Sequence, residues 1–342
     1  MQMQFVSKMP QPQDLMRDYP VSDEIRRLKS DRDGQIAAIL EGRDDRMLLI
    51  IGPCSADRED AVLEYMTRLA EVERQVRDRF LIVPRVYTNK PRTRGTGYKG
   101  MLHQPDIHKK ENLLAGIIAI RELHTRVIRE TGFTCADEML YPSNYSYLSD
   151  VLSYVAVGAR SVENQEHRLV ASGLGVATGM KNPSAGDVGV MLNSIAAAQS
   201  PQEFIFRNWE VHTPGNPLAH AILRGFVDNF GRSHPNYHYE NLRDLYERYV
   251  VSGLTNPAVI IDANHNNSGK QYLEQVRICR DVMYSRTISA DIRTLVKGLM
   301  IESYLEDGCQ KVGGDEFGKS ITDPCLGWEK TERLVLELAD QL

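Results

Sequence analysis

Cysteine is scarce in this sequence, and no two cysteines are spaced as a CxxC pair. The five that occur, Cys54, Cys135, Cys279, Cys309 and Cys325, are odd in number and scattered. A disulfide framework is therefore disfavoured, and a reducing, cytoplasmic setting is expected. Long hydrophobic runs are missing too. Stretches such as Met47–Ile51 fall far short of the roughly 20 residues that span a bilayer. Met1–Ser30 is polar and mixed in charge, without the apolar core of a secretory signal. No membrane association is expected. There is no excess of positive charge: 41 basic residues face 46 acidic ones, for a net charge of −5. A protein that neutralises a nucleic-acid backbone usually carries the opposite sign, so nucleic acid is not an expected partner. The absence of a 20–50-residue repeat excludes solenoids and propellers.

What is present is a rhythm. The chain has 342 residues, 42% of them apolar, enough for a large core. Residues 1–45 are polar and hold one plausible helix, Asp23–Leu40; they read as an N-terminal arm and helix. From Met47 onward, short β-branched runs alternate with segments of helical period. The strand candidates are Leu48–Ile51, Phe80–Val83, Gly132–Ala136, Tyr154–Gly158, Gly175–Gly179, Ala219–Leu223, Ala258–Ile261 and Leu299–Ile301. Helical stretches include Ala61–Gln75, Asn112–Glu130, Asn164–Ala171, Val188–Gln199, Tyr272–Met283 and Trp328–Leu342. Glu203–Thr213 alternates weakly and reads as a short extra hairpin. The pattern predicts an α/β fold, a (β/α)8 TIM barrel over residues 46–342 behind the N-terminal extension. A doubly wound open sheet is the rival.

In such a barrel the chemistry sits at the carboxyl ends of the strands. Arg85, Lys90, Arg92, Arg160, Lys181 and Arg224 follow successive strands there. Six cations at one mouth repel each other unless anions offset them, and they suit roughly three anionic groups, such as two phosphates and a carboxylate. A second set is Cys54, His265, Glu302 and Asp323. Thiolate, imidazole and two carboxylates suit one divalent transition metal: Mn, Fe, Co or Zn. Taken singly, each member has a plainer reading: a buried cysteine is a small hydrophobe, a lone histidine a structural donor, a surface cation a solvated charge. Their common placement at strand ends sets those readings aside. Glu138 closes the third strand as a further acid. Gly95–Gly100 spells GxGxxG but opens no helix, and Phe317-Gly318-Lys319-Ser320 lacks the early glycine of a phosphate loop, so both are discounted.

Several motifs stand in one register. Ile51-Gly52-Pro53-Cys54-Ser55, Arg85-Val86-Tyr87, Lys90-Pro91-Arg92-Thr93, Gly158-Ala159-Arg160, Gly179-Met180-Lys181-Asn182, Ile222-Leu223-Arg224-Gly225, Ala263-Asn264-His265 and Ser320-Ile321-Thr322-Asp323 resemble the type I 3-deoxy-D-arabino-heptulosonate 7-phosphate (DAHP) synthases. The resemblance runs from about residue 10 to the last residues. It implies condensation of phosphoenolpyruvate with erythrose 4-phosphate, the first step of the shikimate pathway, and a homodimer or homotetramer. It implies that Cys54, His265, Glu302 and Asp323 hold the metal. Arg85, Lys90, Arg160, Lys181 and Arg224 then bind phosphoenolpyruvate, and Arg92 and Thr93 bind the aldose phosphate. Lys90, His265 and Glu138 are the expected proton handlers. Three departures stand out. Ala56-Asp57-Arg58 replaces the Ile-His-Asp of enteric members. A glutamate that helps place the attacking water aligns with Cys135. Effector-contacting positions align with Ser143 and Gly175, which points to weak or altered feedback by phenylalanine or tyrosine. The rival readings are a 3-deoxy-octulosonate 8-phosphate synthase on the same barrel and a non-catalytic metabolite sensor.

Overall fold

Residues 2–92 and 97–342 are described by the structure, a computed structural model. The strands are β1 (Met47–Gly52), β2 (Phe80–Pro84), β3 (Cys135–Glu138), β4 (Leu152–Val157) and β5 (Ala177–Lys181). An antiparallel hairpin of β6 (Gln202–Phe206) and β7 (Trp209–Thr213) follows. Then come β8 (Ala219–Leu223), the two-residue strands β9 (Phe226–Val227) and β10 (Ser233–His234), β11 (Val259–Asp262) and β12 (Val296–Glu302). Eight of these form one parallel sheet in the order β2-β1-β12-β11-β8-β5-β4-β3. Between its two edges, Arg85 bridges Ala136 in parallel, and the Val86 N–H donates to the Ala136 carbonyl at 2.9 Å. The sheet therefore closes into a barrel in chain order, and the (β/α)8 expectation is met.

Strand parity divides the core into two. Leu49 and Ile51 face outward to the helices, while Leu48 and Ile50 face the barrel axis with Leu81, Val83, Tyr154, Ile222, Ile260 and Met300. The outer layer is made by α3 (Glu59–Val76), α4 (Leu113–Thr131), α6 (Gln165–Ala171), α7 (Val188–Gln199), α8 (Tyr239–Val251), α9 (Glu274–Ile288), α10 (Ala290–Leu295) and α11 (Trp328–Ala339), with the short α5 (Pro142–Tyr145) in a loop. Two helices precede the barrel, α1 (Pro12–Asp18) and α2 (Asp23–Leu40). Ser22 caps α2 by accepting from the Ile25 N–H, and Ile36, Ile39 and Leu40 join the axial cluster. The helix thus plugs the end of the barrel at which the strands begin. Gly179 fits between the facing side chains: a Cβ there would lie 2.4 Å from both Tyr154 Oη and Ile222 Cδ1.

Several expected boundaries move. Gly132 does not start a strand; it caps α4 in the left-handed conformation (φ 76°), so β3 begins three residues later. Gly175 falls in the turn after α6, which displaces β5 to Ala177–Lys181. The hairpin expected at Glu203–Thr213 forms, turning through Arg207 and Asn208 at φ 51° and 66°, the pair of positive values that a two-residue turn needs. α8 gave no clear signal in the sequence, because only Leu242, Leu245 and Tyr249 of its thirteen residues are buried apolar side chains.

One polar pair interrupts the axial core. His220 Nε2 accepts from Tyr154 Oη at 2.7 Å, and its Nδ1 donates to the Leu218 carbonyl at 2.8 Å. Burial pushes the imidazole down to about pH 4. The unfolded imidazole takes its proton near pH 6.5, so acid withdraws stability between those values and the loss is complete below the lower one. His220→Gln is expected to shrink the difference in unfolding free energy between pH 7 and pH 4.5 by ~2–3 kcal/mol, read from urea titrations.

Candidate active site

Parity also decides what stands at the open end of the barrel. One step beyond the apolar axial layer, the inward positions are Arg85, Glu138, Lys181, Arg224, Asp262 and Glu302. These line or underlie a cleft of about 300 Å³. Eleven of the twelve expected site residues line it: Cys54, Arg85, Lys90, Arg92, Glu138, Arg160, Lys181, Arg224, His265, Glu302 and Asp323. The twelfth, Thr93, lies outside the described residues.

At the floor, Arg85 and Glu302 are both 1% exposed and pair at 2.9 Å. The Arg85 guanidinium lies 4.1 Å over the Tyr87 ring. Its Nε and Nη1 are buried and have no partner among the described residues. Two such donors on a charged group are costly unless an anion meets them. Lys181 Nζ stands 3.6 Å from Asp262. Arg224 is nine-tenths buried, and its pKa is lowered by burial, a shift that the neighbouring Arg160 reinforces. Arg160 is exposed at the rim, and Arg92 is half buried, with its Nε donating to the Tyr98 carbonyl at 2.7 Å.

Beside this cradle lies a donor cluster. Ligating atoms of Cys54, Glu302 and Asp323 come within 4.8 Å of one another. Cys54 Sγ is 3.6 Å from Asp323 Oδ2, and Lys90 Nζ touches both, at 2.7 Å from the sulfur and 3.1 Å from the carboxylate. Burial favours the neutral forms of Glu302 and Asp323, yet nearby cations hold both below the usual carboxylate range: Arg85 acts on Glu302, Lys90 and Lys270 on Asp323. Burial and the Glu302 charge push the Cys54 thiol up. His265 stands at the edge, with Nε2 3.9 Å from Glu302 and Nδ1 2.8 Å from Asp262. Burial lowers the pKa of its ring. A carboxylate on one ring nitrogen directs the other at an ion, the usual second partner of a metal-bound imidazole. One soft sulfur and two carboxylate oxygens gathered near the Lys90 ammonium, with an imidazole at their edge, fit a divalent transition metal.

The sequence missed the supports. Gln275 on α9 clamps the backbone of Glu302, accepting its N–H at 2.8 Å and donating to its carbonyl at 2.9 Å. Asn264 donates to the Glu302 carboxylate. Lys270 pairs with Asp323 at 2.9 Å from a loop position with φ 64°, which no spacing announces. Glu138 projects into the cleft because residue 158 is glycine: a Cβ there would lie 2.6 Å from Glu138 Oε1. Cys135 is buried against the outer helices, so the acid at this end of β3 is Glu138.

A sequence profile of the DAHP synthetase I family matches residues 19–336. The chain is 36% identical to the phospho-2-dehydro-3-deoxyheptonate aldolase of Haemophilus influenzae, over 95% of this chain and 89% of that one. It is also 36% identical to the Trp-sensitive and Phe-sensitive enzymes of that name from Escherichia coli, over 96% of this chain and 93% of each. The structure of the aldolase of that name from Francisella tularensis superposes with a TM-score of 0.92 at 31% identity, covering 99% of this chain and 98% of that one. Strand-end charges, donor cluster and whole-chain similarity therefore agree: this chain belongs to the DAHP synthetase I family.

Proposed function

We propose that this chain condenses phosphoenolpyruvate with erythrose 4-phosphate and water to give DAHP and inorganic phosphate, the opening step of the shikimate pathway. The observation that carries this reading is charge. Among the described residues, seven cationic side chains line the cleft against three carboxylates. A divalent ion and the Cys54 thiolate bring the total to about +5. Two phosphates and a carboxylate carry roughly −5, at close to two charges per phosphate.

Arg85, Lys181 and Arg224, with Arg160 at the rim, hold the phosphate and carboxylate of phosphoenolpyruvate. Arg85 does so through its two unpartnered donors. Arg92, with Thr93, takes the phosphate of the aldose. Fixing both anions turns a two-molecule encounter into a positioned reaction. Cys54, His265, Glu302 and Asp323 would hold one divalent ion (Mn, Fe, Co or Zn), which supplies Lewis acidity to the aldehyde oxygen when bound. C3 of phosphoenolpyruvate bonds to the aldehyde carbon, and Lys90 gives a proton to the oxygen that becomes a hydroxyl. Water adds at C2, and Glu138 receives its proton. His265 is less suited to that step, since both ring nitrogens face carboxylates. The C2–O bond to phosphate then breaks and phosphate leaves.

We further place the enzyme in the cytoplasm as a homodimer or homotetramer. All five cysteines are free thiols, and no helix among the described residues is long and apolar enough to cross a membrane. Ile205 and Trp209 on the β6–β7 hairpin are exposed, as are Met3, Phe5 and Val6, and Arg207 ties the hairpin to Gln11 at 2.8 Å. Those apolar side chains suit a covered interface.

Three outcomes follow. Chelation with EDTA abolishes turnover and Mn²⁺ restores it. Against a panel of aldose phosphates, mass spectrometry finds the seven-carbon product from erythrose 4-phosphate; a preference for arabinose 5-phosphate would favour the octulosonate reading instead. Glu138→Gln lowers kcat by ~10²-fold or more with little change in KM for either substrate, the size of a lost general base.

A further inference from the structure

At the opposite end of the barrel, where the strands begin, lies a larger cavity of about 860 Å³. It opens between the C-terminus of α2, the α9–α10 corner and the start of β12. Four cations line it: Arg46, which Asp44 neutralises, and Arg286 near the end of α9, Arg293 on α10 and Lys297 on β12. Arg286, Arg293 and Lys297 have no acidic partner within ion-pair distance among the described residues. The acidic side chains that share the cavity are engaged elsewhere or stand off, and Leu342 also lines it. Glu41 pairs with Arg43, and Asp44 holds Arg46 through both carboxylate oxygens. Asp45 acts on Lys297 only from a distance.

Arg286 is the sharpest anomaly. It is 9% exposed, its Nε is buried without a partner, and its Nη1 rests against Met47 Sδ, which is no counter-charge. Arg293 adds to the strain by donating its Nε to the Arg286 carbonyl at 3.4 Å, bringing a second guanidinium onto the same corner. Lys297 Nζ lies beside Gly42, where a Cβ would be 3.4 Å away. Burial and Arg293 push Arg286 down to about 10, and burial and Arg286 lower Lys297. An uncompensated buried charge is strongly destabilising. Only Arg286 is buried, while Arg293 is exposed and Lys297 half-buried, so an anion entering the cavity meets one buried and two accessible cations that no acid neutralises.

We infer that this cavity is a second anion site, separate from the cleft at the open end, built by Arg286, Arg293 and Lys297 to take a small phosphorylated molecule. The two guanidiniums offer paired donors to phosphate oxygens, and Lys297 adds a point charge. Met283 and Val296 give the cavity an apolar wall against which the organic part of such a molecule can lie.

The test uses inorganic phosphate as the probe. The metal-loaded enzyme is held with saturating phosphoenolpyruvate, and phosphate binding is measured by calorimetry at matched ionic strength. The wild type binds phosphate at this end. In the double variant Arg293→Ala/Lys297→Ala that affinity falls by at least ~10-fold, equivalent to ~1.4 kcal/mol, while kcat and both KM values stay unchanged. Arg286→Met serves as a second reading. In phosphate-free buffer it melts no lower than the wild type, because it removes a charge with no partner, and phosphate no longer raises its melting temperature. The inference is overturned if the double variant binds phosphate as the wild type does. It is equally overturned if Arg286→Met melts well below the wild type in phosphate-free buffer, which would make Arg286 a structural donor.

Discussion

Everything at the open end depends on one arrangement: a layer of charges stacked directly on a layer of hydrocarbon. The barrel axis is filled by Leu48, Ile50, Val83, Ile222, Ile260 and Met300, and the next inward position is ionised on six of the eight strands, glycine taking it at residues 52 and 158. Such a layer survives burial only when its members hold each other. Arg85 pairs with Glu302, Lys181 approaches Asp262, and Asp262 in turn meets His265. Removing one member leaves its partner buried and unpaired, a larger penalty than the pair's own worth. The same electrostatics that hold this layer together leave an excess of positive charge at the mouth. That excess is what two phosphorylated substrates need.

Much of this was legible in the sequence, because strand parity is a sequence property. Once Leu48–Ile51, Phe80–Val83 and Ala258–Ile261 are read as strands, residues 54, 85 and 262 fall at one end without further information. Hence eleven distant positions that the sequence places at strand ends and in the loops beyond them line one cleft. The supports were not legible. Gln275 grips the Glu302 backbone from a helix, and Lys270 arrives from a loop; neither follows a strand. Boundaries slipped where glycine carried two meanings. Gly132 looks like the start of a strand and is instead the cap of a helix. α8 escaped because its three buried positions are diluted by charged residues.

The barrel's two ends solve one problem differently. The end where strands begin is closed by hydrocarbon, with Ile36, Ile39 and Leu40 of α2 set into the axial core. The end where strands finish is left open and charged. β12 joins the two, with Lys297 near one end and Glu302 at the other. The N-terminal helix is therefore part of the barrel's packing. Its loss would expose the axial core directly to water.

The central claim is that residues from four separate elements converge on a single ion. Absorption spectroscopy of the Co²⁺-loaded protein tests it most directly. A thiolate ligand adds an intense sulfur-to-metal charge-transfer band in the near ultraviolet. The wild type should show that band at one equivalent of Co²⁺, and Cys54→Ser should lack it while keeping the visible ligand-field bands. Identical spectra for the two proteins would contradict the account.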